Sequence, residues 1–298
     1  MNALTSRKSK GEVTFDCVNI VVMIIICFLT LYPIWFTIVN SFNDGMDGAR
    51  GGIYWWPRIF TLDNYTTVFR DGQIIKAFGI TIGRTFFATT LHVFFTAMVA
   101  YALSKRELVG RKIYLTIIMI TMFFGGGLIP YYLVLRDLHL IDNFLVFVIP
   151  GIFSAFNMII FQSFFRELPA GLEEAAMIDG CGEFKIFWKI IIPLSGPVLA
   201  TIALFVGVGN WNDYFSGVIF INNQDLQPVQ TYLYKLIAIV SASAGSSRFA
   251  NANVNPVQVT AESVKLATMV IATAPIVCVY PFLQKYFVKG MLIGSIKG

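Results

Sequence analysis

The stretch Glu173–Leu194, EEAAMIDGCGEFKIFWKIIIPL, holds much of the polar chemistry of an otherwise very apolar chain. It lies between two long apolar runs. Its spacing predicts a short helix, a turn at Gly180 and Gly182, and a second helical piece that enters an apolar span at Pro193. We therefore predict that this stretch forms an ordered loop at the surface of a membrane.

The two helical pieces of this stretch have patterned surfaces. The first is predicted to place small or apolar side chains opposite acidic ones, namely Ala175, Ala176 and Ile178 against Glu173, Glu174 and Asp179. Residues three and four apart share a helical face, so Phe184, Phe187 and Trp188 are predicted to form one aromatic face. Exposed small and aromatic residues on such a loop indicate a surface that docks into another protein.

The composition is that of an integral membrane protein. Of 298 residues, 56% are hydrophobic and 13% are charged, and the mean hydropathy is +0.71. Soluble domains carry about 25% charged residues. The formal net charge of +5 does not require a nucleic-acid partner, because positive charge also sets membrane topology. The four cysteines form neither a CxxC pair nor a metal-binding spacing, so we predict no metal site.

The apolar runs predict an all-α protein with six membrane spans in a single domain of residues 1–298. The spans are 15–39, 74–103, 113–135, 144–165, 193–220 and 263–283, and the loop 168–192 joins the fourth span to the fifth. A cleaved signal peptide is the alternative for the first run, but its apolar part is too long for one. Residues 40–73 and 221–263 are predicted to be outer loops.

The distribution of positive charge predicts the orientation. With six spans both termini share one side, and thirteen of the 22 lysines and arginines fall there against eight on the other side, with Arg84 inside the second span. The positive-inside rule therefore predicts that the termini and the loop 168–192 are cytoplasmic.

The spacing in the loop carries a resemblance to a known family. The order is Glu174-Ala175-Ala176, three residues, Gly180, nine residues, Ile190, two residues and Pro193. It is similar to the EAA loop of ABC-importer permeases, although Ile192 stands where leucine is usual. The segment from Ser41 to Tyr65 also resembles the LplC/YtcP-like oligosaccharide permeases, a carbohydrate-type subgroup. The EAA resemblance implies the type I ABC importer fold, with a cytoplasmic coupling helix that docks in a cleft of an ATPase.

The resemblance also implies partners and site residues. The residues assigned to ATPase coupling are Glu173, Glu174, Ala175, Ala176, Asp179, Gly180, Phe184, Phe187 and Pro193. The implied partners are a second permease subunit in a heterodimer, two ATPase subunits that bind ATP and Mg²⁺, and an extracytoplasmic solute-binding protein at a bacterial cytoplasmic membrane. The chain itself has no GxxxxGK[ST] phosphate loop, so we expect neither a cofactor nor ATP hydrolysis in this subunit.

Polar and aromatic residues within the spans are candidates for the substrate pathway, namely Asn210, Trp211, Asn212, Asp213, Tyr214 and His92. Gly126 is a further candidate, because its glycine run permits local unwinding beside a wet cavity. Polar groups in spans are costly unless they face protein or water, so contacts between helices are the alternative for each of them. The second span is unusually polar, and its Arg84 is expected to snorkel toward the outer surface. The small, polar stretch 241–256 is expected to contact the binding protein.

The sequence favours import of sugars, with oligosaccharides and acidic sugars as candidates, over three alternatives. An ABC permease for a non-sugar solute stays open. A gradient-driven carrier would more often show inverted repeats and a buried ion site, and neither is evident. An intramembrane enzyme needs a paired constellation such as HExxH, whereas His92 and His139 fall in different segments.

Overall fold

A computed structural model describes residues 10–70, 72–243 and 259–295 of the chain. Regular structure in these residues is helical, apart from one isolated antiparallel bridge between Asn43 and Phe60. The α-helices are α1 (Lys10–Ser41), α2 (Gly45–Gly48), α3 (Asp63–Arg70), α4 (Gln73–Ser104), α5 (Arg111–Phe123), α6 (Leu128–Asp137), α7 (Ala155–Phe165), α8 (Ala170–Ile178), α9 (Glu183–Leu194), α10 (Gly196–Asn212), α11 (Phe215–Phe220), α12 (Val229–Ser243) and α13 (Ala261–Ser295). The all-α prediction is confirmed.

The chain divides into two compact units. The first takes in the described residues of Met1–Arg70 and Ile239–Ile271, and the second those of Asp71–Ala238 and Ala272–Gly298. The single domain of residues 1–298 stays a prediction. Helices α12 and α13 each contribute to both units.

In the first unit, α1 is a long helix that is apolar on every side. Its 32 residues extend about 48 Å, which exceeds the thickness of a hydrocarbon core. The outer loop that follows packs back onto it, since the indole nitrogen of Trp35 donates to the carbonyl of Trp55 at 3.0 Å. The loop is also more ordered than predicted, because it contains α2 and α3 and an ion pair between Arg58 and Asp47 at 2.9 Å.

Not all of the predicted spans are single helices. Among the described residues, three helices are long and apolar enough to cross a bilayer, and α5–α6 and α9–α10 are bent pairs with angles of 116° and 82°. The break in the predicted span 113–135 was expected from its glycine run, whereas the interruptions of 144–165 and 193–220 were not. The number of crossings stays a prediction.

The interruptions differ in kind, and the one between α5 and α6 has a local cause. Gly127 has φ +83° and ψ 171°, a conformation that essentially only glycine adopts, and it separates α5 from α6. In the predicted fourth span the α-helix begins only at Ala155, so its 11 residues cover about 16 Å. The predicted fifth span is interrupted at Ser195 and again between Asn212 and Phe215.

The polar face of α4 explains how irregular backbone is accommodated in a membrane protein. Unpaired backbone groups are tolerated at membrane depth only where protein or water satisfies them. The Thr81 hydroxyl accepts from the Val229 amide at 2.8 Å, and the Thr96 hydroxyl donates to the Ile152 carbonyl at 3.2 Å. These two threonines therefore serve contacts inside the bundle, as the packing alternative proposed.

The predicted outer loop 221–263 contains a helix. Helix α12 follows Pro228 and has 15 residues, most of them apolar. The small, polar stretch from 241 onward dominated the sequence pattern and hid the helical periodicity before it. Residues 244–258, which carry most of the expected contact with a binding protein, lie outside the described residues.

Different loops of the second unit contact the two ends of α4. At its N-terminal end, Lys76 pairs with Asp225 at 2.8 Å, and the carboxylate of Asp142 accepts from the amide of Asn223 at 2.8 Å. At its C-terminal end, Lys105 pairs with Glu173. Loops that were predicted to share one side of the membrane thus lie together.

Candidate functional site

The segment that resembles the EAA loop consists of α8, a turn and α9. Helix α8 begins after Pro169, and its end is closed by amides of the turn: Gly180 donates to the Met177 carbonyl at 3.0 Å and Cys181 to the Ala176 carbonyl at 2.9 Å. Gly180 has φ +78°, so the turn requires a residue that tolerates the left-handed region. Gly182 has an extended backbone that other residues can adopt, and the turn does not require glycine there.

The predicted division of α8 into an apolar and an acidic side is wrong. Ala176 is buried in the core and Glu173 turns inward, whereas Ile178 is 87% exposed. Successive residues of a helix are rotated by about 100°, and here that rotation places Ala176 in the core and Ala175 on the exposed surface. The outward surface mixes both characters and contains Glu174, Ala175, Ile178, Asp179 and Gly180.

The predicted aromatic face of α9 is also divided. Phe187 is buried, with its ring centroid 5.4 Å from that of Tyr101, while Phe184 and Trp188 are exposed. The helix contains a π-helical turn at Phe187–Ile191, which ends two residues before the exposed Pro193. Proline has no amide hydrogen to donate to the carbonyl four residues earlier in an α-helix, and a widened turn is one way to accommodate the missing hydrogen bond. Phe187 therefore belongs to the core, and only the other two aromatics are available to a partner.

A hydrophobic core joins this segment to three helices. Its members are Ala176, Ile186, Phe187 and Ile191 from the segment, Ala97, Ala100, Tyr101 and Leu103 from α4, Met158, Phe161 and Phe165 from α7, and Val198 and Ile202 from α10. Burial of one large apolar side chain stabilises a fold by about 1.5–3 kcal/mol. The segment and the three helices therefore share one packed core.

Charged contacts reinforce this core at the end of α4. The ammonium of Lys105 pairs with Glu173 and lies 3.3 Å from a carboxylate oxygen of Glu183. The hydroxyl of Tyr101 donates to the same carboxylate at 2.9 Å, and the Lys105 ammonium lies 4.6 Å from the centroid of the Tyr101 ring. Burial alone would lower the pKa of Lys105, but hydrogen bonds to Glu173 and Tyr101 outweigh burial and raise it. Sequence reasoning used Lys105 only as a topology marker and missed these contacts.

Arg84 does not snorkel to the surface. Its side chain is 1% exposed, and it lies 3.4 Å from the carboxylate of Asp213, 5.0 Å from the centroid of the Phe147 ring, and within bonding distance of the carbonyls of Asn210 and Asp213. These carbonyls end α10, where the helix dipole favours a cation. Asp213, a predicted pathway residue, therefore has a protein partner.

Three other pathway candidates also use polar atoms on the protein. The amide of Asn210 donates to Val206 in its own helix, and the Trp211 indole donates to the Ala272 carbonyl at 3.2 Å. The Nδ1 of His92 contacts the Gly151 carbonyl at 2.6 Å, and its Nε2 accepts from the amide of Asn157 at 2.8 Å. These contacts support the packing alternative for His92.

A groove beside Trp211 has an apolar lining. It has a volume of about 470 Å³ and is lined by Thr85, Phe86, Thr89, Thr90, Ala200, Ala203, Leu204, Gly207, Val208, Trp211, Pro275, Ile276 and Val279. Sugars need hydrogen-bonding groups as well as apolar faces. This groove is therefore a poor sugar site, although Trp211 was a candidate.

The remaining candidates are exposed. They are Gly126, Asn212 and Tyr214. Tyr214 stacks on Tyr234 of α12 with ring centroids 4.7 Å apart and an interplanar angle of 20°. Both rings are more than two-fifths exposed. Tyr234 was missed because α12 was predicted to be a loop.

Comparison with known proteins identifies the class of this molecule. Residues 7–293 match the family described as "Binding-protein-dependent transport system inner membrane component". The chain belongs to this family. The permease is 40% identical over 294 residues to Protein LplC of Bacillus subtilis (strain 168), covering 99% of this chain and 98% of LplC. The polygalacturonan/rhamnogalacturonan transport system permease protein YtcP of the same organism is 35% identical and covers 95% and 98% of the two chains.

A solved structure agrees with the fold. A crystal structure of a bacterial ABC transporter involved in the import of the acidic polysaccharide alginate contains a chain that is 32% identical, with a TM-score of 0.85. The match covers 95% of the permease and 100% of that chain. The protein is thus a permease subunit of an ABC transporter and not a catalytic enzyme, as predicted.

Proposed function

We propose that this permease is one of two paired translocation subunits in an ATP-driven, binding-protein-dependent importer of acidic oligosaccharides. In this proposal it crosses the bacterial cytoplasmic membrane six times with both termini inside. A second permease subunit completes the pathway, two ATPase subunits bind ATP and Mg²⁺, and a solute-binding protein delivers the sugar outside.

The observation that carries the proposal is the two-sided construction of the EAA-like segment. Its outer surface, which includes Glu174, Ala175 and Ile178, is exposed and available to an ATPase. Its inner surface shares a core with α4, α7 and α10. Closure of the ATPases on ATP would displace α8, and the shared core would pass that displacement to the helices, so that the pathway alternates between two states.

Two observations support the substrate class. The relatives are named for polygalacturonan/rhamnogalacturonan and alginate, and uronate polymers of this kind carry carboxylates. Within the permease, Tyr214 and Tyr234 form an exposed stack, and Asn212, two residues before Tyr214, is also exposed. An aromatic face contacts the C–H groups of a pyranose, and an amide bonds its hydroxyls. We propose these three residues as a sugar contact.

The stretch 241–256 is proposed to contact the binding protein. Its first residues belong to the end of α12, so a rigid helix leads into it. Deletion of 244–256 is expected to abolish uptake that depends on the binding protein. Uptake at the normal rate in this deletion variant would contradict the assignment.

The deciding experiment is purification of the tagged permease from its native membrane, followed by reconstitution of everything that copurifies. We expect a second permease, a P-loop ATPase and ATP-dependent uptake of oligogalacturonate or oligoalginate with ion gradients collapsed. Preference for a neutral oligosaccharide of equal length would contradict the assignment of an acidic substrate. ATP-dependent uptake of a non-sugar solute alone would contradict the assignment of a sugar substrate. Uptake that survives ATP depletion but requires a gradient would support a secondary carrier instead.

A further inference from the structure

Two acidic residues from different parts of the EAA-like segment converge on one lysine. Glu173 belongs to α8 and Glu183 opens α9, and these helices are joined through the turn at Gly180. Lys105 contacts both carboxylates, and Tyr101 donates to that of Glu183. We call these four side chains, Tyr101, Lys105, Glu173 and Glu183, the latch.

The Lys105–Glu173 pair of the latch is shielded enough for its charges to matter. The side chains of Lys105 and Glu173 are 19% and 22% exposed, whereas that of Glu183 is 60% exposed. Exposed ion pairs are weak because water and salt screen them, but partly buried pairs are screened much less. The Tyr101 ring beneath the ammonium adds a cation–π contact. The raised pKa of Lys105 agrees with a charged lysine held by acceptors.

The lysine stands on a fixed backbone. The carbonyl of Leu103, two residues earlier, accepts from the Gln162 side chain of α7 and from the Arg111 side chain at the start of α5, each at 2.7 Å. Lys105 therefore extends from a point that three helices hold. Because its backbone is held in this way, the Lys105 ammonium can position the EAA-like segment that it binds.

Two neighbouring glutamates divide between this latch and the outer surface. Glu173 turns toward Lys105, whereas Glu174, the first residue of the EAA pattern, is exposed. A contact of Glu174 with a partner would thus act on the same helix turn that Glu173 fixes to α4. The resemblance assigned both glutamates to the ATPase, and the geometry separates them.

We propose that Lys105 is a positioning residue that fastens α8 and α9 to the end of α4, so that displacement of the coupling segment by the ATPase moves α4 with it. The role in transport rests on the proposed function, but the fastening itself does not. Loss of the latch should leave ATP hydrolysis intact but uncouple it from transport, because the segment would move without displacing α4.

The test uses the complete transporter in proteoliposomes with four variants. Lys105→Met removes the charge, Lys105→Arg keeps it, and Lys105→Glu with Glu173→Lys exchanges the partners. Arg106→Met is the matched control, because Arg106 is the adjacent cation and is exposed. Two quantities are measured: ATP hydrolysed per sugar imported, and amide hydrogen exchange of residues 170–187.

We expect Lys105→Met to raise the ATP consumed per sugar about tenfold and to speed exchange in the segment. Lys105→Arg and Arg106→Met should stay near wild type, and the exchanged pair should recover part of the coupling. Wild-type coupling and exchange in Lys105→Met would overturn the proposal, as would equal loss in the Lys105→Arg variant. If Lys105→Met does not assemble, Glu173→Gln and Glu183→Gln decide by the same criteria.

The two proposals fail in different ways. If the wild-type complex imports no sugar, the proposed function fails, and the exchange measurement still tests the latch. If the wild type imports sugar but the exchange of residues 170–187 does not respond to Lys105→Met, only the latch fails.

Discussion

Arg84 shows how a single side chain makes an interrupted membrane helix possible. A charged residue inside a span is costly and needs a partner within the protein. The guanidinium presents several donors in a fixed plane, so it serves the carboxylate of Asp213 and two backbone carbonyls together. Those carbonyls would otherwise lack partners where α10 ends. These contacts therefore offset both the cost of burying the arginine charge and the cost of burying the carbonyls at the end of α10.

Removal of this pair should destabilise the protein in a coupled way. Arg84→Met is expected to cost about 3 kcal/mol, and Asp213→Ala less, because Asp213 is about one-third exposed and can be hydrated. The double variant should cost at least about 1 kcal/mol less than the sum of the single variants. Thermal unfolding of the solubilised transporter measures this. Arg136→Met is the control, since its pair with Asp137 is exposed. Additive single effects would show that the pair is not coupled.

The stacked side chains of Tyr214 and Tyr234 give a second prediction about single residues. Tyr214→Ala and Tyr234→Ala are each expected to lower sugar uptake about three- to tenfold at saturating binding protein, because each removes an aromatic face. Phenylalanine at either position should retain uptake, since the face remains. Tyr54→Ala, which removes an exposed tyrosine of the first unit, is the control. Uptake unchanged in both alanine variants would exclude the stack from the sugar pathway.

At the scale of the element, interruptions decide what the helices do. A continuous span would carry its polar groups into lipid, whereas α4 supplies partners to the irregular backbone around Gly151, Ile152 and Val229. The bend at Ser195 similarly sets α9 at an angle of 82° to α10. The EAA-like segment is thus directed sideways over the ends of the helices instead of continuing their course.

Gly180 is the residue on which the geometry of that segment depends. A Cβ at this position would meet no atom within 4 Å, so substitution tests the backbone conformation and not a clash. Gly180→Val should raise ATP use per sugar, because a left-handed conformation costs a side-chain-bearing residue about 1–2 kcal/mol. Gly180→Asn should couple nearly normally, since asparagine tolerates this region.

Basal ATP hydrolysis by the assembled complex separates this effect from misassembly, because both variants should retain it. Equal uncoupling by valine and asparagine would mean that the docking partner, and not the turn, excludes a side chain at this position.

At the scale of the whole molecule, the loops meet at two opposite ends of α4. Lys76 pairs with Asp225 at one end and Lys105 with Glu173 at the other. Which end faces the cytoplasm stays a prediction from the positive-inside rule. The side matters for the proposed function, because an ATPase could reach the EAA-like segment only from the cytoplasm.

The native Cys181 provides a test of this orientation. A variant that keeps only this cysteine, which is partly exposed in the turn after α8, should react with a membrane-impermeant maleimide in inverted vesicles and not in right-side-out ones. A cysteine placed at the exposed Asn222 should show the reverse pattern. Labelling of Cys181 from outside would place the coupling segment on the wrong side for an ATPase.

The sequence by itself determined the class of the protein. The long apolar runs require helices that satisfy their own backbone in lipid, and the spacing from Glu174 to Pro193 is specific enough to identify the family. Gly180 was identified as a turn because few residues adopt its conformation. These features depend on local chemistry or on a period along the chain, which one sequence displays.

Only the tertiary structure decided which residues face which partner. Phe187 entered the core, Glu173 turned inward, and Arg84 found Asp213 more than a hundred residues away. Lys105 contacts two carboxylates. The predicted spans at 113–135, 144–165 and 193–220 are interrupted, and side chains of α4 or a glycine accommodate the irregular backbone there. Such outcomes depend on contacts between distant segments. A hydropathy pattern records how apolar each residue is, but it carries no information about the donor or acceptor that a neighbouring helix supplies.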